Sequence, residues 1–310
     1  MSDSFYTFRN YRPADFDKYV RLNVEAEKLE PTGRHISQRV LGENLGQPSY
    51  FPEQDLFIVE IDENMVGYMD AAPELNIGRV ILNCFIHPDH RRQGLSLKLL
   101  GYATHRAKEL GAEVVHVNIP RDNVIAKSVL SKLGFRFVRR FLELRLDISK
   151  VRWKDTDQAV LPCRHLQCGE EDKLTQLQNR SFAGTWGYNS NTVEEIIYRT
   201  NLSNCSPEDV VIACDGDKPV GYCWTRINCE AEDYVGESRG RVYMLGVAPD
   251  CRGRGTGKRV LMAGLAYLKS KGVQIAEVTV DSENQAACAL YRSVGFKIRT
   301  SSLWYEKPVT

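Results

Sequence analysis

In Val242-Tyr243-Met244-Leu245-Gly246-Val247-Ala248-Pro249-Asp250-Cys251-Arg252-Gly253-Arg254-Gly255-Thr256-Gly257-Lys258-Arg259 an apolar strand runs into a basic, glycine-rich loop. The strand reads as Arg241 to Val247, and the loop opens an amphipathic helix from about Thr256 to Lys271. At such a junction successive backbone N–H groups converge on an anion at the positive end of the helix. The glycines let the backbone come close, and Arg252, Arg254, Lys258 and Arg259 add charge that suits a pyrophosphate. The spacing is not the Gly-x-x-x-x-Gly-Lys-Ser/Thr of a Walker loop, and the βαβ context of a dinucleotide fold, with its acidic residue after the next strand, is not met convincingly either. On the loop alone, a solvated basic turn is the plainer alternative.

Working outward, the same pattern occurs twice. Arg91-Arg92-Gln93-Gly94-Leu95-Ser96 echoes the loop, and Gly134-Phe135 echoes Gly295-Phe296. Both matches have one offset, since 255 minus 94 and 295 minus 134 are each 161. Val66-Gly67-Tyr68 and Val220-Gly221-Tyr222 each close a β-hairpin after an apolar run. Their offset is seven shorter (220 minus 66 is 154), which a longer loop within Asn228 to Gly240 explains. Equal spacing of separate matches marks a duplicated domain. The seam falls near residues 150 to 160, where Ser149 to Asp157 is polar and aperiodic after a strand from Arg140 to Ile148. The expected domains are 1–150 and 158–310, each α/β with a mixed, mostly antiparallel sheet flanked by helices and each folded around its own sheet. In the second half Ala276 to Val280 reads as a strand, and Asn284 to Val294 as a short helix ended by Gly295.

Composition narrows the partners. With 41 basic and 40 acidic side chains there is no general attraction for nucleic acid or an anionic membrane, so a small-molecule or protein substrate is expected. No signal peptide opens the chain at Met1 to Thr7 and no apolar run reaches roughly 18 residues, so a cytoplasmic protein is expected. The nine cysteines form no Cys-x-x-Cys pair and read as reduced packing residues rather than disulfides or zinc ligands. His87-Pro88-Asp89-His90 reads as a loop rather than a metal pair, and His35, His105, His116 and His165 as isolated structural or surface residues.

Arg252-x-x-Gly255-x-Gly257 after Leu245-Gly246-Val247, followed by Asn284, Tyr291 and Gly295-Phe296, is similar to the acyl-CoA motif of the GNAT superfamily and covers nearly all of both halves. The resemblance implies transfer of an acetyl group from acetyl-CoA to an amine. It places Arg252, Gly253, Arg254, Gly255, Thr256, Gly257 and Lys258 around the pyrophosphate, with backbone N–H groups at Leu245 and Val247 facing the thioester carbonyl. By the same resemblance Tyr291 protonates the departing thiolate, and a phenol is protonated at neutral pH. Its plainer reading is a packing tyrosine. Asn284 either touches the cofactor or simply caps a helix. Glu277, Asp281 and Glu237 are candidate general bases, of which Glu277 is expected to act with Tyr291 in catalysis.

The first half keeps Asn123 and Gly134-Phe135 but has Ser96 in place of the last small residue and Leu130 in place of Tyr291, so it reads as degenerate. The tandem layout resembles the mycothiol synthases, through Arg180-Ser181-Phe182-Ala183-Gly184 and Val242 to Val247. Where that family has a glutamate acting as base before the Val-Tyr, this chain has Arg241. An N-acetyltransferase of unspecified amine is therefore preferred, with a mycothiol synthase-like acceptor or a non-catalytic acyl-CoA sensor as alternatives. The two halves are expected to meet in the manner of a GNAT dimer, giving a monomer in solution.

Overall fold

Alternating apolar residues bounded by turns supply the strands, and contacts gather them into two units, Met1–Val138 with Leu303–Thr310, and Arg139–Ser302. The structure is a computed structural model describing residues 5–29, 37–153, 162–227 and 238–309. His35, Cys229, Glu237, residues 1–4, 154–157 of the expected linker and 228–237 of the expected longer loop lie outside the described residues.

The first unit runs β1 (Thr7–Asn10), α1 (Phe16–Leu29), α2 (Gln38–Leu45), α3 (Pro52–Asp55), β2 (Leu56–Ile61), β3 (Asn64–Glu74), β4 (Arg79–Ile86), α4 (Leu95–Glu109), β5 (Val114–Pro120) and α5 (Val124–Lys132). β6 (Arg136–Asp147) then leads into the second unit, with β7 (Cys163–His165), α6 (Glu171–Phe182), α7 (Val193–Thr200), β8 (Val210–Asp215) and β9 (Lys218–Ile227). It continues with β10 (Arg239–Val247), α8 (Thr256–Ser270), β11 (Ile275–Asp281), α9 (Gln285–Val294) and β12 (Lys297–Pro308).

In the first unit the strand order is β1-β2-β3-β4-β5-β12, antiparallel from β1 to β4 and parallel where β4 meets β5. One face buries Val59, Leu82 and Val115 under α4, whose Leu95, Leu99, Ala103 and Ala107 recur at helical spacing. The other buries Ile58 and Met65 under Tyr19 and Leu22 of α1 and Leu41 of α2. The second unit repeats the plan in the order β6-β11-β10-β9-β8-β7, parallel where β10 meets β11. Val242, Val278 and Cys223 pack under Val260, Leu261 and Leu265 of α8, while Tyr222 and Trp224 pack under Leu174 and Leu177 of α6.

One expectation needs correction. Each half was expected to fold around its own sheet, yet the final strands are exchanged. Phe141 to Asp147 of β6 pair antiparallel with β11, and Leu144 and Leu146 are buried in the second unit's core beside Val278, Val280 and Tyr291. Residues 303–309 serve the first unit: Leu303, Tyr305 and Val309 pack on its core, and the Val309 N–H donates to the Glu113 carbonyl at 2.9 Å. The reason lies in what alternation encodes: it says which face of a strand is apolar, not which sheet receives it. The compact units therefore differ from the bounds 1–150 and 158–310 by this exchange.

Candidate active site

β10 and β11 run together only as far as Val242 and Val278. Beyond that pair β10 continues to Val247 beside β9, and β11 to Asp281 beside β6, so the two strands part. A bulge helps to turn β10 away: Val242 pairs with Thr225 and Met244 with Trp224, leaving Tyr243 as the extra residue. Past the bulge pairing is regular, and the Ala248 N–H donates to the Val220 carbonyl on the β9 side at 2.9 Å. By the alternation of a strand, the N–H groups of Leu245 and Val247 face the opposite edge, which β11 has left. Two backbone donors thus line the opening.

The loop of Arg252 to Gly257 stands at the mouth of this opening. Gly253 and Gly255 have φ of 72° and 81°, and Gly255 is the N-cap of α8. A Cβ on either would meet nothing within 4 Å, so what glycine supplies here is the left-handed backbone. Gly257 is different, because a Cβ there would touch Leu290 at 3.4 Å and Val247 at 3.6 Å. This open, left-handed, glycine-lined helix start fits a pyrophosphate.

The side chains divide by task. Arg252 donates from Nε to the Val247 carbonyl at 3.2 Å and from a terminal nitrogen to the Ser181 carbonyl at 2.6 Å, so it braces the loop against β10 and α6. Thr256 is buried and its hydroxyl donates to the Cys251 carbonyl at 3.2 Å. Arg259 is drawn towards the Cys163 thiol. Arg254 and Lys258 are left as the loop's cations for a phosphate. Asn284 caps α9 by accepting from the Ala287 N–H at 3.0 Å, which leaves its amide N–H₂ for other partners.

Tyr291 projects from α9 into the core, 5% exposed, with its ring edge-on to Phe296 at 5.5 Å. Among the described residues its hydroxyl has no hydrogen-bond partner. Burial pushes the phenol well above its ordinary pKa, so the group carries its proton throughout the physiological range. Tyr222 is fully buried, which likewise pushes its phenol well above the ordinary pKa, and its hydroxyl has no hydrogen-bond partner among the described residues. Glu277 lies on β11 before the strands part, opposite Arg241 in register, with its carboxylate 3.2 Å from Arg299. Asp281 is at the other end of β11, 3.8 Å from Arg139.

The first unit has the same frame with different chemistry. β4 and β5 pair only from Arg79 to Ile81, and Arg91 repeats the brace by donating to the Ile86 carbonyl at 3.0 Å. β4 lacks the bulge, pairing with β3 without a shift from Arg79 to Ile86. Subtracting the offset of 161 places Gln93 at Arg254, Leu97 at Lys258 and Arg92 at Gly253. Arg92 occupies that left-handed position at φ 63°, where a side chain is strained. Leu130 is buried in the core where Tyr291 stands in the second unit. Sequence reading noted Leu130 and Ser96 but missed the loss of both loop cations, which the same subtraction would have revealed. His87-Pro88-Asp89-His90 forms a short turn, with the His87 ring accepting from the Asp89 N–H at 3.3 Å.

The family model described as Acetyltransferase (GNAT) family matches residues 25–135 and 172–296, once in each half. A mycothiol acetyltransferase of Amycolatopsis mediterranei is 26% identical over 264 residues, covering 84% of this chain and 86% of that one. Among solved structures, a GCN5-related N-acetyltransferase from Sphaerobacter thermophilus aligns with a TM-score of 0.70 at 20% identity, over 98% of this chain and 96% of its own. A tandem GNAT protein from the clavulanic acid biosynthesis pathway aligns with a TM-score of 0.73 at 14% identity, over 99% of both chains. These two likenesses are of fold. No described helix is long and apolar enough to cross a membrane.

Proposed function

The chain belongs to the acetyltransferase (GNAT) family, and from that premise we propose that it moves an acetyl group from acetyl-CoA to the amine of a small molecule or peptide, with the chemistry in the second unit. The observation that carries this reading is the parting of β10 and β11 after Val242 and Val278, with the Gly253–Gly257 helix start at its mouth and buried Tyr291 behind it. Arg254, Lys258 and the N–H groups at the start of α8 hold the pyrophosphate. The N–H groups of Leu245 and Val247 stabilise charge growing on the thioester oxygen.

As the new C–N bond forms, the C–S bond breaks. The amine's proton leaves through water to the Glu277 carboxylate, and the sulfur takes a proton from Tyr291. A buried phenol is a weaker acid than one in water, but the same dry surroundings raise the proton affinity of the departing thiolate, so the transfer stays matched. The first unit, without the acid and with Gln93 and Leu97 at the positions of Arg254 and Lys258, is a structural partner rather than a second catalytic centre. The reading takes the protein as a cytoplasmic monomer with no nucleic-acid partner.

The second reading is acetylation of a cysteinyl amine, as the names of the relatives suggest; their similarity along most of the chain favours it. Arg241 weighs against it by reversing the charge where the resembled family has its base. A pool of small amines incubated with protein and acetyl-CoA tests the proposal, with released CoA followed by chromatography because the exposed Cys168 would react with a thiol dye. Amide formation with at least one amine is expected. Acetyl-CoA binding without turnover of any amine would instead identify a sensor.

A further inference from the structure

On the face of the second unit's sheet that carries Tyr222 and Trp224, three arginines gather. Arg226 on β9 and Arg241 on β10 are directly opposite in the antiparallel register, and Arg239 lies two residues before Arg241 on the same face. Like charges placed opposite each other on paired strands are destabilising. The guanidinium of Arg226 stacks 3.6 Å from the Tyr243 ring centroid and 5.7 Å from that of Trp224. Its Nε, like that of Arg239, is buried without a hydrogen-bond partner. Arg241 is exposed, and its contact is with the Thr279 hydroxyl at 2.6 Å.

None of the three has an ion pair among the described residues. Of the described carboxylates, Glu277, the register partner of Arg241 on β11, is held by Arg299 at 3.2 Å, and Asp281 and Glu283 by Arg139. Glu143, on β6, is separated from Arg241 by the width of β11.

A half-buried guanidinium with an unmade hydrogen bond costs free energy, and a planar fork in that state is matched by a carboxylate or phosphate. We infer that Arg226 and Arg241 bind an anionic group on the acetyl acceptor, so that the acceptor is an amine bearing a carboxylate or phosphate a few bonds from its nitrogen. The inference rests on the acetyltransferase reading above. Length agrees with it. Leu245 lies four residues along β10 from Arg241, one of them taken up by the bulge, which is roughly 10 Å. An arginine reaching along the strand brings its anion to within a few bonds of an amine placed at the thioester. Stacking on Tyr243 holds the Arg226 head in place, so little side-chain freedom remains to be lost on binding.

The test pairs amines that differ only in the anion: an ω-amino carboxylate against the matching alkylamine, and an amino-sugar phosphate against the amino sugar. With the full-length protein and acetyl-CoA, the anionic member of at least one pair is expected to have a kcat/KM ten or more times higher, chiefly through KM. The two pairs distinguish carboxylate from phosphate. Arg226→Gln with Arg241→Gln should remove the preference, while Arg226→Lys with Arg241→Lys, which keeps the charge, should retain part of it and controls for folding. Calorimetry with the same amines reads binding without turnover. Anion-dependent binding that the Gln pair abolishes supports the inference even if no amine is acetylated, a result that would overturn the acetyltransferase reading alone. Equal use of neutral and anionic amines, or a preference that survives the Gln substitutions, overturns the inference and leaves transfer itself standing. A panel in which nothing binds or reacts overturns both.

Discussion

Removing one oxygen from Tyr291 separates chemistry from folding. The side chain is 5% exposed and packs against Phe296, but its hydroxyl makes no hydrogen bond among the described residues. Tyr291→Phe therefore leaves no partner unpaired and creates no cavity, and its effect on stability should stay within about 1 kcal/mol. Loss of a general acid is larger, about 10²- to 10³-fold in kcat, or about 3 to 4 kcal/mol of transition-state stabilisation. Affinity for acetyl-CoA should hold, because the pyrophosphate cradle is on another element. Since burial raises the phenol's pKa, activity should show no loss from this group as pH rises to 9. Steady-state CoA release, with the thermal midpoint measured on the same preparations, decides the matter. Full kcat in the Phe variant would refute the assignment, and so would a drop that merely followed unfolding.

Leu130→Ala, at the matching position of the first unit, should cost about 2–5 kcal/mol in denaturant unfolding because the residue is 7% exposed in a packed core. Its kcat per folded molecule should be unchanged. Asp70 is a second handle: burial raises its pKa to about 6, and Oδ1 is enclosed without a partner. A raised carboxyl pKa adds stability that is complete below the ordinary value near 3.8 and lost as pH rises through about 6. Asp70→Asn should thus gain on the wild type between pH 4 and pH 7 by at most about 3 kcal/mol, read from thermal or urea unfolding across that range. A pH-independent difference would contradict it.

The duplication and the element order were legible because they rest on local patterns repeated at one spacing. The helix start at Thr256, the Asn284 cap and the strand before the loop each follow from residues within a few positions of one another. The exchange of β6 and β12 was not legible, since Leu142, Leu144 and Leu146 would suit either apolar face and their partners on β11 are more than a hundred residues away. Side-chain tasks within the loop were only half legible. Arg252 and Arg254 are equivalent cations in a sequence, and only the carbonyls of Val247 and Ser181 show that the first is a brace. The bulge at Tyr243 also left no mark in the alternation, because one extra residue can be absorbed on either strand.

Acetyl-CoA titrated calorimetrically into the wild type and into Arg254→Ala with Lys258→Ala tests the central claim most directly. One acetyl-CoA per chain is expected for the wild type, held in the second unit, because the first has Gln93 and Leu97 at the corresponding positions. The double variant should bind at least tenfold more weakly with an unchanged thermal midpoint, as two charge-assisted phosphate contacts are lost. Unchanged affinity in that variant, or two equivalent sites in the wild type, would contradict the claim.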